Sequence, residues 1–123
     1  MSGDDLSERL LDFASRIGKV VDALPNTRLG RHIAGQLVRC GSSPGPNYEE
    51  ARGAESRKDF IHKLAVALKE MRETRYWIRY IIKTELLADN LMASVLDEST
   101  QLCNILGKSL VTARSNLSEG ESS

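Results

Sequence analysis

Residues 57–87 read RKDFIHKLAVALKEMRETRYWIRYIIKTELL, and the spacing of apolar side chains in this stretch decides the fold. Ile61, Leu64, Leu68, Met71, Arg75, Ile78 and Ile82 recur at steps of three and four, which puts them on one face of an α-helix. Ser56 stands where an N-cap belongs, and Asp59 three residues later resembles a capping box with a shortened acid. A helix over 57–87 would be about 45 Å long at 1.5 Å per residue, the longest in the chain. A second stripe lies beside the first: Ala67, Glu70, Thr74, Trp77 and Ile81, with Glu73 at its flank. A helix that buries a single face has no need of it. The expected use is a contact between subunits, with Trp77, Tyr80 and Ile81 supplying apolar area outside the main seam. The alternatives are a polar pocket roofed by Trp77, or a solvated glutamate pair beside an ordinary packed tryptophan.

The same period governs the chain on either side. Leu6, Leu10, Phe13, Ile17, Val20 and Leu24 make one face of a first helix, which Asp4 or Asp5 can cap and Pro25 stops. A second helix opens at Asn26 or Thr27 and carries Leu29, Ile33, Leu37 and Cys40. Gly41-Ser42-Ser43-Pro44-Gly45-Pro46-Asn47 should bend or interrupt it, because each proline removes a backbone donor, and helical character resumes at Tyr48. After the long third helix, Asp89 or Asn90 starts a fourth with Met92, Leu96, Ser99, Cys103, Leu106 and Leu110. Strand alternation is nearly absent, and short connections make antiparallel neighbours. The expected architecture is all-α: an antiparallel up-down four-helix bundle over residues 1–114, its second helix bent at Pro44-Pro46. Residues 115–123, mostly Ser, Glu and Gly around Leu117, should form a disordered tail with little to bury.

The 123 residues amount to one domain, and 41% apolar with 28% charged residues is an ordinary globular composition. No apolar run is long enough to span a membrane. Cys40 and Cys103 stand far apart and outside any CxxC pair, so they read as small core residues in a reducing cytoplasm. Seventeen basic residues balance seventeen acidic ones. The zero total hides an uneven distribution: residues 27–87 hold twelve Lys and Arg against seven Asp and Glu.

Enzyme chemistry finds few handholds. A di-iron bundle needs Glu-x-x-His on two helices. Here Asp59-x-x-His62 occurs once, Glu70-x-x-Glu73 ends in an acid, and His32 has no carboxylate three residues earlier. Glu50, Glu70 and Glu73 are the remaining acids for a metal, and local pairing with Lys63, Lys69 or Arg72 accounts for the last two. Both thiols occupy core-seam positions, and Ser42 and Ser43 lack the spacing of a phosphate-binding loop. No catalytic residue, metal or cofactor is expected. The basic middle carries more: Arg28, Arg31 and Arg39 on the second helix, with Lys69, Arg72, Arg79 and Lys83 on the third, form a candidate phosphate-contacting surface. Its plain alternative is a solvated helical face.

Three strings then carry a resemblance: Gln36-Leu37-x-Arg39-x-x-x-Ser43-x-x-x-Asn47-Tyr48-x-Glu50-Ala51, Ser56-x-x-Asp59-Phe60-x-x-Lys63, and Ala67-x-x-Glu70-x-x-Glu73-x-x-Tyr76-Trp77. Together they resemble the four helix bundle protein family, also called the 23S rRNA intervening-sequence protein family because some members are encoded inside insertions in ribosomal RNA genes. The resemblance implies a left-handed up-down bundle that assembles into a homopentameric ring. It extends to the accessory variability determinant of diversity-generating retroelements, a basic pentamer that binds a reverse transcriptase and nucleic acid. The implied partners are a second copy of the chain, RNA or DNA, or a reverse-transcriptase-like protein. The family motif falls on Gln36, Arg39, Ser43, Asn47, Glu50, Asp59, Phe60, Glu70, Glu73 and Trp77. For Gln36, Arg39, Ser43, Asn47, Glu50, Glu70 and Glu73 the expected role is a structural polar network around the bend, with Glu70 and Glu73 accepting from Arg39 and Asn47. The overall reading is a non-enzymatic cytoplasmic homo-oligomer that engages nucleic acid or a nucleic-acid-handling protein, against a protein-interaction module with no such affinity.

Overall fold

Three of the helices begin where the hydroxyl of a serine or threonine accepts from a free backbone amide. In the computed structural model, which describes residues 1–122 and side chains as far as Leu117, α1 spans Gly3–Ala23. Its cap is Ser2, two and three residues ahead of the expected Asp4 and Asp5. The Ser2 hydroxyl accepts from the Asp5 amide at 3.1 Å, and the Asp5 carboxylate accepts from the Ser2 amide at 3.0 Å. That reciprocal bond to the Ser2 amide holds the Asp5 carboxyl below its ordinary range. Thr27 caps α2 (Arg28–Gly41) and Ser56 caps α4 (Arg57–Lys83), both at positions the sequence marks. The last helix, α5, runs Asp89–Ser122. The expected tail at 115–123 falls mostly beyond the described side chains.

The bend sits a little ahead of the proline pair. α2 stops at Gly41 and α3 (Pro44–Arg52) starts at once, with Pro44 in the first turn where its missing N–H costs no bond. Ser42 donates its hydroxyl to the Val38 carbonyl at 2.6 Å, and the Asn47 amide donates to both the Ser43 carbonyl and hydroxyl at 3.0 Å. Side chains thus fill the gap that two prolines open in the backbone ladder. α2 and α3 together make one broken rod.

Four rods result: α1, α2 with α3, α4, and α5. Both α1 and α4 pack against the broken rod and against α5, so the rods close in an antiparallel up-down cycle around one core. α1 buries Leu6, Leu10, Phe13, Ile17 and Val20, all on the face its periodicity marks. α2 contributes Ile33, Leu37 and Cys40, while Leu29 is 39% exposed. α5 is rotated from the expected seam. Val95 and Leu102 join Met92, Leu106 and Leu110 in the centre, and Leu96 and Cys103 are half-buried at its edge. α4 ends at Lys83, four residues before the expected boundary, and α5 is the longer helix. Glu85 takes a left-handed backbone (φ 56°) just past the end, and the following Leu86 and Leu87 pack back against the core.

α1 and α2 approach closely at Gly41, where an added Cβ would lie 2.6 Å from Ile17 Cγ2. Gly41→Ala therefore forces the two rods apart, an overpacking cost of about 1–3 kcal/mol, only partly offset by alanine's better helix propensity. Ile17→Leu has no branch at Cβ and removes the methyl in question. Urea denaturation of the double variant should recover part of the loss, whereas strictly additive losses would place the strain elsewhere.

Candidate nucleic-acid interface

Arg39 on α2 points across to α4. Its guanidinium donates to Glu70 Oε2 at 3.1 Å and to Glu73, and the Gln36 side-chain carbonyl accepts from it at 3.5 Å. Trp77 Nε1 donates to the same Glu73 oxygen at 3.2 Å. The charge of Glu73 first, and that of Glu70 after it, raises the Arg39 guanidinium above its already high ordinary value. Four of the seven expected network residues meet here, but the side chain of Arg39 is 52% exposed, so the bridge lies at the surface. The other three stand apart. Asn47 is committed to Ser43, not to the glutamates, and Glu50 accepts from Lys63 Nζ at 3.0 Å. The bridge links the broken rod to α4, and local pairing of Glu70 and Glu73 within α4 gives way to a cross-helix one. Among the described residues no cluster of three His, Cys, Asp or Glu side chains is placed to hold a metal. Burial pushes both the Cys40 and Cys103 thiols up, away from the thiolate.

The second stripe of α4 divides between core and surface. Ala67, Thr74 and Ile81 have no exposed area within a single chain. Ile81 therefore belongs to the core and has no surface to offer a second subunit, contrary to expectation. The reason is that α4 packs on α2, α3 and α5 at once, so it needs a wide apolar arc. Trp77 and Tyr80 remain half-buried. Trp77 meets His32 of α2 edge-on at 6.0 Å, and meets Tyr76 at 5.1 Å and Tyr80 at 5.6 Å on its own helix.

On the outward side of α4, Lys69, Arg72, Tyr76, Arg79 and Lys83 follow steps of three and four, all of them exposed. Among the described residues none of these four cations makes an ion pair; the pairs present involve Arg9, Arg39, Arg52 and Lys63. α5 runs alongside and adds Lys108 and Arg114. Between the helices lies a groove of about 960 Å³ whose walls include Lys69, Arg72, Lys108 and Arg114 and, among the described residues, no carboxylate. Its floor is apolar, from Leu68 and Leu110. A row of unneutralised cations along a groove raises a positive potential that low-dielectric walls concentrate.

Lys69, Arg72, Arg79 and Lys83 share this outer face of α4, while Arg28 and Arg31, on α2, line neither the groove nor its continuation along α4. Arg31 instead turns to the Asn26 carbonyl oxygens at 3.2 and 3.1 Å. Lys108 and Arg114 give little signal in the sequence because they belong to a segment that is acidic in sum. Only their common spacing with Asn104 and Val111 signals a shared side.

A closed cycle of antiparallel helical rods, one broken at a proline pair and one presenting a basic face, defines a helical-bundle protein. The chain belongs to the 23S rRNA-intervening sequence protein family, whose model matches residues 5–108. It is similar to a solved protein of unknown function from the S23 ribosomal protein family of Bacteroides thetaiotaomicron, at 35% identity and a TM-score of 0.82. That match covers 89% of this chain and 98% of the other. Comparison with curated proteins gives no match. Among the described residues, no helix is long and apolar enough to cross a membrane.

Proposed function

We propose that this chain is a non-enzymatic, cytoplasmic scaffold that associates with itself and holds nucleic acid against the α4/α5 face. The observation that carries the reading is the row of cations at Lys69, Arg72, Arg79 and Lys83, extended by Lys108 and Arg114, none of which has a carboxylate partner among the described residues. Phosphate contacts need charge that is not already neutralised, and a helix-length row of it matches a phosphate backbone. Self-association into the homopentamer that the resemblance implies would repeat the face around a ring, so that a modest surplus per chain becomes a large one. Two unlinked thiols fit a reducing compartment.

The test is an anisotropy titration with labelled structured RNA and duplex DNA at low and physiological salt. Binding that weakens steeply as salt rises is expected, with the logarithm of affinity falling linearly against that of salt. An absence of binding at low salt removes the nucleic-acid reading and leaves a protein-interaction module. One observation favours that alternative. α1 turns Asp4, Glu8 and Asp12 outward around Leu11, which is 61% exposed, a complement in charge and polarity to the apolar-floored basic groove on another copy. Light scattering would then show a mass that falls as salt is added.

A further inference from the structure

We propose that the cleft beside Tyr76 and Tyr80 on α4 holds an unpaired base of single-stranded nucleic acid, with the adjoining phosphates on Arg79 and Lys83. The inference rests on the nucleic-acid reading above and names the form of the ligand. The cleft measures about 450 Å³ and is lined by Tyr76, Arg79, Tyr80, Ile82, Lys83 and Leu96. That volume lies within the roughly 300–1,000 Å³ of sites that take small organic groups. Its composition among the described residues is selective in kind: two aromatic rings, two cations, two aliphatic side chains and no acid.

Tyr76 and Tyr80 are one helical turn apart, so their rings project side by side. Tyr76 is 55% exposed, an unusual setting for a ring that the neighbouring core could have covered. Trp77 meets both tyrosines at steep angles, 80° and 63°, and is itself backed by His32. The rings are thus buttressed from the α2 side through Trp77, and Leu96 of α5 contributes to the lining of the cleft. Cations continue along the same stripe to Arg72 and Lys69, so the charged row from Lys69 to Lys83 is about 21 Å long at 1.5 Å per residue. A base in a duplex has both faces covered by its neighbours. One in a single strand has a face to give, and stacking on an aromatic side chain accepts any base. Aromatic rings interleaved with cations are the arrangement a single strand uses and a duplex does not.

The full chain is titrated with labelled single-stranded RNA and DNA pyrimidine oligomers and with a duplex of equal length, all at low salt. Tyr76→Leu keeps apolar bulk and removes the ring; Tyr76→Phe keeps the ring. Tyr76→Leu is expected to weaken single-strand binding by about 5- to 150-fold, the range for loss of one stacked base, while duplex binding stays at the wild-type level and Tyr76→Phe binds as wild type. A loss confined to RNA or to DNA also supports the proposal and names the sugar accepted. Trp77 is the sole tryptophan, so its fluorescence should change with the single strand and not with the duplex. Unchanged single-strand binding by Tyr76→Leu, or an equal loss on strand and duplex, overturns the base site while the cationic face stands. No binding of any probe by the wild-type chain removes both.

Discussion

Reversing Lys69, Arg72 and Arg79 to glutamate together is expected to weaken nucleic-acid binding on the order of a hundredfold or more at low salt. All three are exposed and free of ion pairs among the described residues, so the substitutions break no internal bond and stability should move by no more than about 0.5 kcal/mol each. The diagnostic quantity is the salt slope. Three lost phosphate contacts should lower it by about two units on a single strand. Arg28→Glu with Arg31→Glu supplies the contrast, since those side chains lie on α2 and line no part of the groove. If that pair weakened binding as much as the α4 triple, the interface would have to be moved to the α2 end of the bundle.

Phe13→Ala is expected to remove about 3–5 kcal/mol of unfolding free energy, a large part of the roughly 5–15 kcal/mol that a domain of this kind has to lose. Phe13 is 1% exposed and sits in the middle of the α1 seam, between Leu10 and Ile17. Truncation leaves a ring-sized void in the shared core. Leu11 stands two positions away on the same helix and is 61% exposed, so Leu11→Ala should cost no more than about 0.5 kcal/mol. Urea midpoints of the two variants side by side test the rotation of α1. Comparable losses would mean that α1 does not present the Phe13 face to the core.

Why α1 could be read in advance and α4 only in part has a physical reason. α1 buries a single stripe, and a single stripe has a single period: Leu6, Leu10, Phe13, Ile17 and Val20 are all buried as spaced. The caps at Thr27 and Ser56 are local bonds between a side chain and an amide three residues on, so neighbouring residues suffice to specify them. α4 is apolar over a wide arc, and periodicity reports the width without saying what covers it. The arc through Ala67, Thr74 and Ile81 is fully buried within the single chain, whereas its spacing predicts contact with a second one. The Arg39 bridge shows the same limit from the polar side. Its glutamates were recognised as acceptors, yet the exclusion of Asn47 depended on the Ser43 carbonyl and hydroxyl lying within reach once the chain bends.

The sequence by itself determined the helices, the break at the proline pair, the antiparallel order and four of the cations on the outer face of α4. These follow from period, capping chemistry and loop length, all of which act over a few residues. Tertiary structure alone decided that Ile81 is core, that Arg28 and Arg31 fall off the groove, and that Lys108 and Arg114 complete it. Those placements depend on which rod lies beside which and at what rotation. That choice is made by the fit of whole apolar surfaces far apart in the chain, and no local pattern encodes it.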